Sequence, residues 1–145
     1  SADRAGGHGR LRREVLDVTG NVPLLPTFAF GFWFSWFHKY TQAEKQAEVQ
    51  RFIEAQIPLD VSALDMDWHA HSYGYQVNHD LFPNMSSLIE WLHLRNKSIY
   101  FNDHALQRKG NLSPEEVAYR FRGLSKLLEI GLDFWWVDCH WRYKP

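Results

Sequence analysis

The sequence predicts an α/β fold built on a parallel sheet, and three observations lead there. Four short apolar segments begin near Phe28, Val61, Ser98 and Phe134, about 35 residues apart, which is the spacing of strand-helix units whose parallel strands need a long crossover. The stretches between them carry helix signals. The polar residues with chemical potential gather just after the apolar segments, where strand-to-helix loops open in such folds. The loop after the first segment, Ser35-Trp36-Phe37-His38-Lys39, contains no glycine to cradle a phosphate, which favours a closed barrel over a dinucleotide-binding open sheet. Four units are half of an eight-fold barrel, and a complete one takes about 250 residues. The expected architecture is a partial (β/α)8 TIM barrel comprising about its first four strand-helix units.

Residues 1–21 read as a lead-in, Gly-rich and basic, in which only Leu11 to Val18 has the pattern for a helical turn or two. Residues 22–145 read as the barrel segment. Pro23 and Pro26 hold the backbone extended and deliver it into the run Phe28 to Phe37, the expected first strand. Thr41-Gln42-Ala43-Glu44 has the side chains of a capping box, so a helix runs from there to about Gln56, with Val49, Phe52 and Ile53 on one face. Ile57-Pro58 ends it, and Val61 to Met66 is the second strand.

A polar, aromatic loop from Trp68 to Pro83 leads to a helix in which Leu88, Trp91 and Leu92 share a face, and Ser98 to Asn102 is the third strand. Ser113-Pro114-Glu115-Glu116 opens the next helix: a capping Ser, a Pro whose missing N–H costs nothing there, and acids at the positive helix end. Val117, Phe121, Leu124 and Leu128 form its expected apolar stripe, and Gly131 ends it. The fourth strand is Phe134 to Val137.

Composition narrows the function classes. A 145-residue chain with 45% hydrophobic residues has the size and core of one domain, and its 16% aromatic content excludes a disordered segment. Lys+Arg 16 against Asp+Glu 17 leaves no basic field for nucleic acid and no polybasic membrane attachment. No apolar run approaches the roughly 18 residues of a membrane span. The single cysteine, Cys139, excludes an internal disulfide framework and a multi-cysteine zinc site. Without an initiator Met, and stopping just after an apolar segment, the chain reads as a piece of something longer.

The candidate chemistry lies at the strand ends. The second strand closes in Asp65-Met66-Asp67-Trp68-His69, the third in Asn102-Asp103-His104 and the fourth in Asp138-Cys139-His140-Trp141. A single carboxylate of this kind is usually a loop cap or surface ion pair, but three strands in succession point to an active-site face. Asp60 and Asp133 sit at the opposite strand ends, and for them the cap or ion-pair role is kept. Asp67-Trp68-His69-Ala70-His71 has the D-x-H-x-H spacing by which a barrel strand brings two imidazoles to a metal, although that motif normally closes a first strand. Cys139 beside His140 does not form a nucleophile pair, because adjacent strand residues point to opposite faces.

Val22 to Phe37 (VPLLPTFAFGFWFSWF), Ile57 to His69 (IPLDVSALDMDWH), Leu81-Phe82-Pro83 with the following Trp91-Leu92-His93, and Gly131 to Asp138 (GLDFWWVD) together resemble glycoside hydrolase family 31. These are retaining α-glycosidases built on an eight-fold barrel. The resemblance implies that Asp138 is the nucleophile, that Asp65 hydrogen-bonds the hydroxyls of the sugar in the cleaved subsite, and that Trp36, Phe37 and Met66 line that subsite. Asp103, His104 and Cys139 are the further expected substrate-binding residues. A carboxylate at Asp138 attacks the anomeric carbon and forms a glycosyl ester that water hydrolyses, with a second carboxyl about 5 to 5.5 Å away to protonate the leaving oxygen. In the family this acid comes from a later strand, outside these residues, so the rest of a parent chain is expected to complete the barrel.

The implied substrate is an α-glycoside, and no cofactor or metal is implied. Cys139-His140-Trp141 stands where common α-glucosidases have Met-Asn-Glu, and the Phe-Trp-Trp-x-Asp-x-x-Trp form with Phe101-Asn102-Asp103-His104 resembles a bacterial branch that includes α-N-acetylgalactosaminidases. Two alternatives stay open: an amidohydrolase-type metal enzyme using Asp67, His69 and His71, and a non-catalytic relic whose aromatics stack sugars.

Overall fold

The computed structural model describes residues 3–71, 74–103 and 113–138. Four strands, β1 (Trp33–Phe34), β2 (Val61–Leu64), β3 (Ser98–Asp103) and β4 (Phe134–Val137), lie side by side in chain order. Every neighbouring pair is parallel, with Phe34 opposite Ser62, Ala63 opposite Tyr100, and Asn102 opposite Trp136. A helix α1 (Asp3–Thr19) precedes the sheet, and α2 (Gln42–Glu54), α3 (Met85–His93) and α4 (Pro114–Glu129) each carry the chain back between strands. This is the expected half of a (β/α)8 barrel.

Local chemistry starts the crossover helices as expected. The Thr41 hydroxyl accepts the Glu44 N–H at 3.2 Å while the Glu44 carboxylate accepts the Thr41 N–H at 2.7 Å, so both halves of the capping box are made. The Asn84 side chain caps α3 by accepting the Ser87 N–H, and Ser113 caps α4 ahead of Pro114. Gly131, at φ +108°, closes α4 in a conformation that an L side chain rarely adopts.

Three expectations need correction. The run from Phe28 to Phe37 is not one strand, because Thr27–Phe30 forms a 3-10 turn and only Trp33–Phe34 pairs with the sheet. The reason is Asp60, whose carboxylate accepts the Phe32 N–H at 2.8 Å and lies so close to Gly31 that an added Cβ would sit 2.2 Å from it. The backbone there bonds a side chain, and the ladder starts one residue later.

On α4 the buried residues are Glu116, Arg120 and Leu127, while Phe121 and Leu128 are exposed. Glu116 and Arg120 satisfy each other at 3.0 Å, and Gly123 lets the Tyr75 ring lie directly against the helix, where a Cβ would come within 2.1 Å of it. That contact sets the inward face. Finally, α1 runs for 17 residues instead of a turn or two, supported by an Arg10–Glu14 pair one turn apart.

Side-chain alternation divides the sheet into two faces. Leu64, Ile99 and Phe101 point to the helices and join Val49, Leu88 and Leu92 in the main core. Val61, Ala63 and Tyr100 point the other way, toward what would be the barrel interior, and pack with Phe28, Trp33 and Phe134. At the amino ends of the strands Asp60 also donates its N–H to the Phe32 carbonyl and accepts the Ser98 N–H. Asp133 accepts the Ile99 N–H at 2.7 Å and pairs with the His93 imidazole at 3.0 Å. Both aspartates thus have the cap and ion-pair roles expected of them.

Candidate active site

Counting by twos along the interior face of each strand leads from Val61 and Ala63 to Asp65, from Tyr100 to Asn102, and from Phe134 and Trp136 to Asp138. These three residues meet at the carboxyl end of the sheet. The Asn102 side-chain amide donates to Asp65 Oδ1 at 3.0 Å and to Asp138 Oδ2 at 3.2 Å. The two carboxylate oxygens are therefore at most about 6 Å apart, two hydrogen bonds end to end. Asn102 is buried, Asp65 is half-buried and Asp138 is exposed, so the pair opens outward from a closed base.

Beneath the carboxylates lies an aromatic floor. Tyr100 packs against Trp33, Phe134 and Trp136 with ring centroids 5.8, 5.3 and 5.8 Å apart. An exposed carboxylate at hydrogen-bonding distance from a fixed amide, beside a second carboxylate and above apolar rings, can accept hydrogen bonds from a polyhydroxylated ligand and attack an electrophilic carbon.

The loop from β1 to α2 leaves the same end of the sheet and carries Trp36 and Phe37, both exposed. Trp36 stacks on His38 at 4.5 Å, and His38 meets the edge of Tyr40 at 4.8 Å. Tyr40 is anchored in the core: its hydroxyl donates to Glu48, and the Lys45 ammonium, paired with the same Glu48, lies 3.7 Å from its ring centroid. Burial pushes the Tyr40 hydroxyl above its usual range, helped by the Glu48 hydrogen bond, and pulls the Lys45 ammonium below its own. Met66 is half-buried just beyond Asp65.

Asp103 is at the same end of the sheet as Asp65 and Asp138 but on the opposite face. It is buried against the helix layer and accepts the Tyr75 hydroxyl at 3.1 Å. Burial, followed by the charge of Asp103, raises the Tyr75 hydroxyl above its usual range. His104 and Cys139 lie outside the described residues. Asn102 is the site residue that sequence reasoning passed over for its neighbour. The signal was available, since alternation from Tyr100 selects Asn102 and excludes Asp103.

The D-x-H-x-H segment forms no metal centre here. His69 is buried with its ring 4.7 Å from Trp68, in a main-chain bridge with Val77, whereas His71 is exposed. Among the described residues no three His, Cys, Asp or Glu side chains are placed to hold a metal ion. No described helix is long and apolar enough to cross a membrane.

Residues 22–126 match the family described as glycosyl hydrolases family 31 TIM-barrel domain. Among curated proteins, Alpha-glucosidase 2 of Bacillus thermoamyloliquefaciens is 37% identical over 76 residues, covering 52% of this chain and 10% of that protein. An alpha-xylosidase of Saccharolobus solfataricus is 35% identical over 78 residues, covering 52% and 11%. The matched part of the chain thus spans about a tenth of the length of these curated relatives.

Among solved structures, a GH31 alpha-xylosidase from a soil metagenome complexed with xylose superposes with a TM-score of 0.72 at 17% identity, over 83% of this chain and 23% of that one. The GH31 alpha-xylosidase from Xanthomonas citri gives 0.69 at 20% identity, over 83% and 17%.

Proposed function

Since the chain belongs to glycosyl hydrolase family 31, we propose that residues 22–145 form the N-terminal half of the catalytic barrel of a retaining α-glycosidase, with residues 1–21 leading into it. Asp138 is the nucleophile. Its carboxylate forms a bond to the anomeric carbon as the glycosidic oxygen departs with a proton from an acid on a later strand. Water then hydrolyses the glycosyl ester. Asp65 accepts hydrogen bonds from the sugar hydroxyls, and Trp36, Phe37 and Met66 line the subsite together with His104 and Cys139. Asp103 supports the site from behind, through Tyr75.

The observation that carries this reading is the pair of carboxylates, Asp65 and Asp138, joined by one amide at the carboxyl ends of β2 and β4. That is the end at which barrel enzymes assemble their chemistry. The Asn102 amide donates to one oxygen of each, so both carboxyl groups act as acceptors toward it. The substrate is a terminal α-linked sugar. The Phe134-Trp135-Trp136-Val137-Asp138 ending with Trp141 supports the branch that includes α-N-acetylgalactosaminidases, while the curated relatives carry α-glucosidase and α-xylosidase names.

The test is covalent labelling of the intact enzyme containing this segment with a cyclitol epoxide or fluorosugar, followed by peptide mass spectrometry. A label on Asp138 is expected, and a label on a different carboxylate overturns the assignment.

A further inference from the structure

Building on the reading of Asp138 as nucleophile, we infer that Asn102 is a positioning residue for glycosyl transfer to the enzyme, its one amide group holding the attacking and the sugar-binding carboxylates at a fixed spacing. Asn102 stands on β3, paired on one side with β2 and on the other with β4. Its main-chain carbonyl accepts the Trp68 indole N–H at 2.9 Å, and the preceding Phe101 stacks on that indole at 5.1 Å. The amide therefore projects from backbone held by strands on both sides and by the Trp68 indole.

The orientation of the amide is determined by its partners. Rotating it by half a turn would aim its carbonyl oxygen at two carboxylate oxygens, so the Nδ2 group must face them. In that orientation Asn102 Oδ1 is buried and accepts no hydrogen bond from the described residues. Leaving a buried acceptor unpaired costs stability, and an apolar side chain would avoid that cost. What the amide supplies is neutral donor density between two like charges that otherwise repel each other and swing apart. Asp65 fixes the sugar and Asp138 attacks it, so their spacing sets the distance between the carboxylate and the anomeric carbon. Asn102 itself acts through Asp138.

The experiment measures the inactivation kinetics of the intact enzyme with 5-fluoro-α-glucosyl fluoride or its xylosyl counterpart. In this step the Asp138 carboxylate bonds to C1 and fluoride leaves. Asn102→Leu keeps the side-chain shape and removes the donors. The maximal rate of labelling is expected to fall by roughly 10², while the reagent's half-saturation concentration rises by no more than about fivefold, the worth of one hydrogen bond.

Labelling of Asp138 in the variant at the wild-type maximal rate, or a loss carried wholly by half-saturation, overturns the inference and leaves the nucleophile assignment standing. Wild-type labelling on another carboxylate overturns that assignment first. If Asn102→Leu does not fold, Asn102→Asp is used instead. It places a third carboxylate between the other two, and a wild-type labelling rate there overturns the inference equally.

Discussion

The indole N–H of Trp68 donates to the main-chain carbonyl of Asn102 across 2.9 Å, within the buried core. The bond ties the loop that leaves β2 to the tip of β3, directly behind the amide that joins Asp65 and Asp138. Trp68→Phe keeps most of the apolar contact with Phe101 and Trp135 but removes the indole donor to that carbonyl. The expected cost is about 1 to 3 kcal/mol, read as a lower melting temperature of the intact enzyme. A drop in kcat larger than the change in KM is expected with it, and unchanged melting and turnover would remove Trp68 from the support of the site.

Asp138→Asn and Asp65→Asn should separate in kinetics. On the proposed assignment the first keeps the shape of the side chain but loses the nucleophile, so kcat should fall by roughly 10⁴ or more with sugar binding largely retained. The second weakens contacts present in the ground state as well as in the transition state, so KM should rise together with a smaller fall in kcat. Steady-state kinetics on aryl α-glycosides distinguish the two patterns, and near-normal turnover in Asp138→Asn would refute the nucleophile.

Tyr75 links Asp103 to stability at alkaline pH. Burial and the neighbouring carboxylate hold its hydroxyl neutral in the folded state beyond the pH at which an unfolded Tyr ionises, near 10. The contribution is fully present below that pH and is lost as pH rises from there through the raised folded value. Denaturant unfolding of the intact enzyme should show stability declining above about pH 10, with a shallower decline in Tyr75→Phe. Identical slopes in both proteins would contradict the assignment.

Expressed by itself, the 145-residue chain should associate. Among the described residues the sheet has open edges at β1 and β4, and Trp136 and Val137 on β4 are 48% and 55% exposed, which is the kind of apolar edge that templates pairing with another chain. Light scattering is expected to show species above the monomer, together with no turnover. A monodisperse monomer that unfolds cooperatively would contradict this expectation.

What the sequence made legible was whatever rests on local chemistry. Thr41 with Glu44, Ser113 with Pro114, and Gly131 mark helix boundaries through bonds made within a few residues, and the strand positions of Val61, Ser98 and Phe134 follow from short apolar runs. The rest depended on partners distant in sequence. Phe28 to Phe30 left the first strand because Asp60 engages the backbone at Phe32. The inward face of α4 turned away from the Phe121 and Leu128 stripe because Tyr75 packs on Gly123. Asp103 and Asn102 are adjacent and both polar, and only the facing of Tyr100 toward the interior decides which of them looks into the site.

The two aspartates at the other end of the sheet give the chain a hidden symmetry. Asp60, just before β2, accepts the Phe32 N–H at the start of β1, and Asp133, just before β4, accepts the Ile99 N–H near the start of β3. The same clasp occurs twice, offset by two strand-helix units, so the amino-terminal rim is built from repeated pairs of strands. The opposite rim breaks the repeat: Asp65, Asn102 and Asp138 come one from each of three successive strands and converge on one amide. One rim of the half-barrel is thus free to stay periodic, because it only has to hold. On the proposed reading the other has to be irregular, since Asp65 and Asp138 would meet different atoms of a glycoside while Asn102 meets only the two carboxylates.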